Sequence, residues 1–473
     1  MSISLIWITT IIRQSPHQAA SDRRLNRSLS RILVTLCVVL AAGLLPSLGL
    51  PATTGAFEAD RAPGPNCAAL GLASCPQPFD AAIPAPASML QWDQKTRVIG
   101  FRNTYRQYPG DVFHTRGAEP YPLPRAAKPL SNVRYQWQGH QQQLTDYLKD
   151  QSVTGLLIIK DGRIAYEYYG AGNTERTLWT SRSVAKSVVS VLTGIAVHEG
   201  LIHSMDDSIT QYLPELSHTA WDGVSLRQLI RHTSGVAWNE HYADPNSDFA
   251  KLTRCEASSE PYDCGLKLIS GLLRVEGVKP GERWSYHTAG AWIMGRVLEK
   301  ATGMPIASYL ESRLWSRYAM EHDGVWQALV PGQIDMGGHG FNATLRDWGR
   351  FAWFVAGGGV LRNGEHLLDS DWIAQSTDWT QAKGSVTPAA PQGQFGYQWW
   401  YSNVEPGRGG DAHVDETARQ TFWAEGIYGQ TLAINPKEKL VLVQWSTWAA
   451  AETPASLYDE QALFFDGLVR ALH

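Results

Sequence analysis

Several common routes to chemistry are missing from this sequence. No Gly-x-Ser-x-Gly stretch occurs in the 473 residues, which excludes the nucleophile elbow of the α/β-hydrolases. There is no His-Glu-x-x-His and no glycine-rich phosphate loop, so neither a zincin site nor a nucleotide cradle is expected. Charge is sparse and balanced: 18% of residues are charged, 41 basic against 45 acidic, for a net of −4. No basic field is available to attract nucleic acid. Cysteine is scarce, five in all. Cys37 lies in an apolar run, and the other four form two local pairs, Cys67/Cys75 and Cys255/Cys264. Neither pair has the short spacing of a zinc site or a histidine pair nearby. Two local disulfides are the simplest of the three connectivities. No metal and no cofactor is expected.

The charge balance conceals an asymmetry. Residues 1–56 carry five arginines against Asp22, a net of +4, which leaves the remainder near −8. The arginine-rich "DRRLNRSLSR" precedes the apolar run Ile32 to Leu50, and the small residues of "PATTGA" follow. Positive flank, apolar core and small residues make an export signal. A retained membrane anchor is the alternative, since the run is long enough for a short span. Either way the body lies outside, periplasmic or extracellular, where disulfides are permitted.

Residues 57–130 are rich in Pro, Ala and Gly and read as an irregular extension. The domain proper is expected over 131–473. "NVRYQWQGHQQQLTDYLKD" reads as helical. "TGLLIIKDGRIAYEYYG" places two β-rich runs around Asp161-Gly162, the signature of a tight hairpin. From about 205 to 390 the pattern is mostly helical, with "AGAWIMGRVLEKATG" and "LRDWGRFAWFVAGGG" the clearest periodic stretches. Strands return at "FGYQWWYS", "QTFWAEGIYGQTLAIN" and "KLVLVQWS", and an amphipathic helix closes the chain. Strands at both ends with helices between predict an α/β (α+β) fold: one antiparallel sheet flanked by helices, plus a mostly helical insertion.

"TSRSVAKSVVS" holds the one Ser-x-x-Lys of the sequence, Ser183 and Lys186. Three residues apart, the two share a helix face. The motif stands at a strand-to-helix junction, where unpaired N–H groups and the helix dipole favour developing negative charge. Serine is a weak nucleophile until a base takes its proton, and a partly desolvated lysine can do so. A solvated lysine on a core helix is the plainer alternative. Tyr286 in "ERWSYHTAG" is a candidate proton relay. "FWAEGIYGQ" offers a backbone N–H that would complete an oxyanion hole with that of Ser183. Ser234, in the loop His232-Thr233-Ser234-Gly235, has no lysine partner and is read as a turn residue. His339 and His413 are candidates to line the cleft, with a structural role the plainer reading of each. Of the 19 tryptophans, Trp179, Trp238, Trp284 and Trp423 stand beside these segments. Packing accounts for most of them, and an aromatic-lined cleft is the sharper idea.

These strings, with "LIRHTSGV", "WSYHTAGAWIMGRVLEKATGMP", "GFNATLRDWGRF" and "GIYGQTLAINPKEKLVLV" in order, resemble the serine β-lactamase-like hydrolases of the class C type. That group takes in penicillin-binding proteins, carboxylesterases and 6-aminohexanoate-dimer hydrolases, and the last look most similar. The resemblance covers about Gln136 to His473. It implies Ser183 as nucleophile, Lys186 as its activating partner and Tyr286 as relay to the leaving group. Backbone N–H groups of Ser183 and Ile427 would bind the oxyanion, with Thr288, Trp179, Trp238 and Gly426 as substrate-binding candidates. Two departures stand out. The second motif is Tyr286-His287-Thr288, where Asn or Ser is usual in third place. The third is Ala424-Glu425-Gly426, without the usual leading Lys or His, so the cation that would meet a β-lactam carboxylate is missing. An exported ester or amide hydrolase acting on a small molecule is therefore expected. A D,D-peptidase or β-lactamase is the rival within the class, and a non-catalytic binding protein the rival outside it.

Overall fold

The computed structural model describes residues 71–117, 119–377, 395–401, 416–417, 419–451 and 455–473. The apolar segment 32–50, Cys67 and His413 lie outside them.

The main sheet is antiparallel and six-stranded. It runs in the order Trp400–Tyr401, Phe422–Gly426, Gln430–Asn435, Leu440–Ser446, Val153–Lys160 and Arg163–Tyr169. Both ends of the sequence therefore build it, as the strand pattern predicts. The Asp161-Gly162 hairpin forms, with both residues at positive φ (51° and 73°), the conformation a two-residue turn needs. Alternation decides which face each side chain serves. Leu156, Ile158, Leu440 and Leu442 pack with Phe464, Phe465 and Leu468 of the closing helix Ala455–Leu472. Leu157, Ile159, Val441 and Val443 share a core with helix Val184–His198 and with Trp348 and Phe351 of helix Leu345–Ala356. Buried apolar residues on both faces explain why these strands read as continuous hydrophobic runs.

A second sheet lies in the order Gly110–Phe113, Gly324–Val330, Phe341–Ala343 and Trp179–Thr180, with Ile334–Asp335 paired to Gly324–Val330. Its strands correct two expectations. The stretch read as irregular contributes Gly110–Phe113, and also helix Gln94–Phe101, whose first turn is capped by Asp93 accepting from Thr96 N at 2.7 Å. The stretch read as mostly helical contains Gly324–Val330 and Phe341–Ala343. A third correction concerns "NVRYQWQGHQQQLTDYLKD". Only Leu144–Asp150 is helical, and Arg134–Trp137 pairs with His140–Gln143 as a hairpin. Gln138 and Gly139 turn it, at φ 51° and 79°. Gly139 is the residue that marks this turn in the sequence.

Candidate active site

Ser183 sits where the two sheets approach each other. Strand Trp179–Thr180 of the second sheet runs into it, and helix Val184–His198 leaves from it. Arg182, just before it, is held at φ 47°, a region a non-glycine residue enters only at a cost. The sharp turn puts Ser183 at the helix N-cap without a side-chain capping bond. The hydroxyl that would ordinarily cap the helix is thereby left for another partner. That partner is Lys186, whose Nζ donates to Ser183 Oγ at 2.9 Å and to the Gly338 carbonyl at 2.7 Å.

Lys186 is buried, and loss of solvation lowers its pKa to about 8, against the opposing pull of Glu240 and Glu256. An amine near neutrality beside a serine hydroxyl can accept its proton. Gly338 is placed for its carbonyl contact by a close backbone approach. A Cβ on neighbouring Gly337 would meet the Ala291 carbonyl at 2.4 Å and Gly295 Cα at 2.9 Å. Only glycines let this loop lie flat on helix Thr288–Thr302.

Tyr286 completes the cluster. Its ring centroid lies 5.2 Å from Lys186 Nζ, and it shares the wall of one cavity with Ser183. Burial, then the charge of Glu240, pushes its pKa well above the ordinary tyrosine value. The following backbone is pinned twice. His287 N donates to His232 Nδ1 at 3.1 Å. Thr288 donates to Glu240 through its backbone N at 3.0 Å and through Oγ1 at 2.5 Å. Glu240 also accepts from Trp238 Nε1 and from the Tyr242 hydroxyl, the latter at 3.1 Å. The indole and backbone N–H groups can only donate, which suits an ionised carboxylate.

The third motif approaches from the main sheet. A Cβ on Gly426 would lie 2.6 Å from the Ser181 carbonyl and 2.9 Å from Arg182 Cβ. The bare glycine lets strand Phe422–Gly426 close on the serine turn and brings Ile427 to the cavities beside Ser183. Ala424 is fully buried in the core, so that position presents neither charge nor side chain to the cleft.

Two cavities meet at Ser183. The open one, about 520 Å³, is lined by Trp238, Tyr242, Trp284, Tyr286, Trp400 and Tyr458, with Glu240 and Glu425 among them. The enclosed one has about 20 Å³ of free space and is bounded by Lys186, Thr288, Arg182, Glu256, His339 and Tyr108.

The structure thus gathers Ser183, Lys186, Tyr286, Thr288, Trp238, Gly426 and Ile427. Trp179 is a correction. It is fully buried, stacked on Trp445 with ring centroids 5.4 Å apart and donating to Gln430 Oε1 at 2.7 Å, and it lines neither cavity. Side chains alternate along a strand, and at this position the ring points into the core shared with Trp445. Ser234 Oγ accepts from Val236 N at 3.2 Å, the turn role read from its loop. His339 lines the enclosed cavity and meets Glu256 at 3.2 Å. Glu240, the Gly338 carbonyl, Tyr242 and Trp400 escaped the sequence reading. Glu240 stands two residues after Trp238, a spacing with no helical or motif signature. Among the described residues, no group of three or more His, Cys, Asp or Glu is arranged to hold a metal ion.

Residues 140–464 match the beta-lactamase family, and the chain belongs to it. It is 26% identical over 324 residues to the 6-aminohexanoate-dimer hydrolase of Paenarthrobacter ureafaciens, covering 66% of this chain and 76% of that one. To a beta-lactamase of Escherichia coli K12 it is 22% identical over 264 residues, 50% of this chain and 65% of the other. A Bacillus anthracis structure described as a 6-aminohexanoate-dimer hydrolase superposes with a TM-score of 0.69 at 20% identity, over 83% of this chain and 99% of that one. The fold is therefore the β-lactamase-like one, and the protein is a member of this hydrolase family.

Proposed function

We propose that this protein is a serine hydrolase that cleaves an ester or amide of a small molecule through an acyl-enzyme on Ser183. One observation carries the reading: a buried lysine with a pKa lowered to about 8 donates to a serine hydroxyl at 2.9 Å, and that hydroxyl is not spent on capping its helix. Lys186 in its neutral form takes the Ser183 proton as Oγ bonds to the substrate carbonyl carbon. The oxyanion is held by the N–H groups of Ser183 and Ile427. The proton passes through Tyr286 to the departing oxygen or nitrogen, and the C–O or C–N bond breaks. Water then attacks the ester on Ser183, releases the acid and returns the proton to the serine.

Esters and amides with no carboxylate on the side that enters the open cleft fit better than β-lactams. The open cleft carries Glu425, and the third motif brings no cation to it, Ala424 being buried in the core. The experiment is active-serine labelling with a fluorophosphonate, followed by turnover of p-nitrophenyl esters, short amides and a chromogenic cephalosporin. Labelling at Ser183 with ester or amide turnover well above that of the cephalosporin is expected. A specificity constant favouring the cephalosporin would overturn the substrate preference, and absence of labelling would overturn the mechanism.

The reading includes export, supported by the arginine-flanked apolar run and by the Cys255–Cys264 disulfide. A mature N-terminus near Phe57, found by N-terminal sequencing of protein recovered outside the cytoplasm, is the expected result. An uncleaved chain in the cytoplasm would contradict it.

A further inference from the structure

The enclosed cavity holds an unusual cation. Arg182 is buried, 7% exposed, and among the described residues its guanidinium makes no hydrogen bond. Its Nε is fully shielded and unpartnered, and the group lies over the Phe101 ring at 4.5 Å. An N–H donor shut off from water without an acceptor is costly, and Nε of Arg182 is one. Burial lowers its pKa only to about 10, so it stays charged at neutral pH. Arg182 and Ser183 both line this cavity.

The charges around it are accounted for. Glu256 faces the same space, but its carboxylate is engaged with His339 Nε2 at 3.2 Å. Lys186 also lines the cavity but is neutral in the proposed mechanism, so Arg182 is the standing positive charge there and Glu256, engaged with His339, its counter-charge. Phe249 and Met89 complete the wall, and the Tyr108 hydroxyl adds a donor.

The two cavities differ in what they can accept. Tyr286 lines the open one and not the enclosed one. If the relay serves the leaving group, the leaving group lies in the open cleft, and the enclosed cavity faces the acyl side. Its free space, about 20 Å³, admits the tip of a short group and not a chain or ring.

We infer that the enclosed cavity is an acyl-side subsite for a carboxylate, and that the preferred substrates are half-esters or half-amides of short dicarboxylic acids, with Arg182 pairing their free carboxylate. This rests on the acyl-enzyme reading above. The scissile bond, the acyl-enzyme and the water that resolves it are those of the proposed reaction. The second carboxylate is a handle and takes no part in the bond changes.

The test compares monomethyl succinate and monomethyl glutarate with methyl butanoate and methyl pentanoate, following methanol release. The half-esters are expected to have specificity constants about ten- to a hundredfold higher. Arg182→Met should bring that ratio to parity or below, and Arg182→Lys should retain part of it. Because Arg182 adjoins the serine turn, a second measurement uses the unmutated protein. Glutarate should slow fluorophosphonate labelling of Ser183 at concentrations where glutaramide does not. A ratio at or below one, a ratio unmoved by Arg182→Met, or equal protection by glutarate and glutaramide would overturn the subsite while leaving a labelled Ser183, and thus the hydrolase reading, intact. Failure of Ser183 to label at all would remove both.

Discussion

Glu240 and Thr288 are joined twice, backbone N–H to Oε2 at 3.0 Å and hydroxyl to Oε1 at 2.5 Å. This ties a loop residue to the start of helix Thr288–Thr302 and fixes the chain two residues beyond Tyr286. The same carboxylate holds a charge that raises the pKa of Lys186 against the effect of burial. Glu240→Gln keeps the shape and removes the charge. Lys186 then loses a stabiliser of its protonated form, so the acid limb of the kcat/KM profile should move to lower pH by about half a unit to one unit. A limb that stays in place would show that Glu240 acts on Thr288 alone.

In the proposed mechanism Lys186 sets the pH dependence of the unmodified protein. Only its neutral form accepts the serine proton, so kcat/KM should rise with pH and level off above about 8. A flat profile from pH 6 to 9 would assign the base elsewhere. Stability follows the same proton. The folded-state pKa of about 8 lies below the unfolded 10.5, so between those values the unfolded chain holds a proton the folded protein has released. Stability against urea should therefore climb as pH rises through that window. Lys186→Arg, which cannot deprotonate, should lower kcat/KM by about two to four powers of ten.

Ser183→Ala removes one oxygen from a helix start where the hydroxyl is not capping. Hydrolysis should vanish while stability changes by only about 1 kcal/mol. Ser234→Ala should leave substantial activity, since its hydroxyl serves the turn through Val236 N. Measured turnover and thermal midpoints of the two variants give the comparison, and residual turnover in Ser183→Ala would refute the assigned nucleophile.

Gly426→Ala tests the approach of the main sheet to the serine turn. The added methyl would stand 2.6 Å from the Ser181 carbonyl, a backbone atom that cannot swing aside. Overpacking of this kind costs about 1–3 kcal/mol. It should also displace Ile427 and slow fluorophosphonate labelling by about tenfold or more. Labelling at the unmutated rate would mean that Ile427 N–H does not contribute to the oxyanion site.

Legibility in the sequence followed the range of the interactions. The Asp161-Gly162 hairpin, helix Thr288–Thr302 and helix Leu345–Ala356 are set by neighbours a few residues away, and periodicity found them. Ser183, Lys186 and Tyr286 were readable because each stands at an element boundary with chemistry rare for its setting. Glu240 was not, because its role exists only once the loop folds back onto Thr288, 48 residues on. Trp179 misled for a related reason: nearness in sequence to Ser183 does not fix which way a strand residue faces, and this ring turned into the core. Strands Gly110–Phe113 and Gly324–Val330 pair with each other across more than 200 residues, and neither shows a sustained alternation by itself.

The meeting of the two sheets at Ser183 has a consequence for how the protein comes to be active. Ser183 and Ile427 are far apart along the chain, and strand Phe422–Gly426, which leads into Ile427, joins Val153–Lys160 only through Gln430–Asn435 and Leu440–Ser446. Such long-range closure is slow and comes late in folding. A nascent chain would thus carry the proposed nucleophile without its oxyanion partner until nearly the whole domain has been made. On the proposed mechanism, a fragment ending before the closing strands is expected to be inactive.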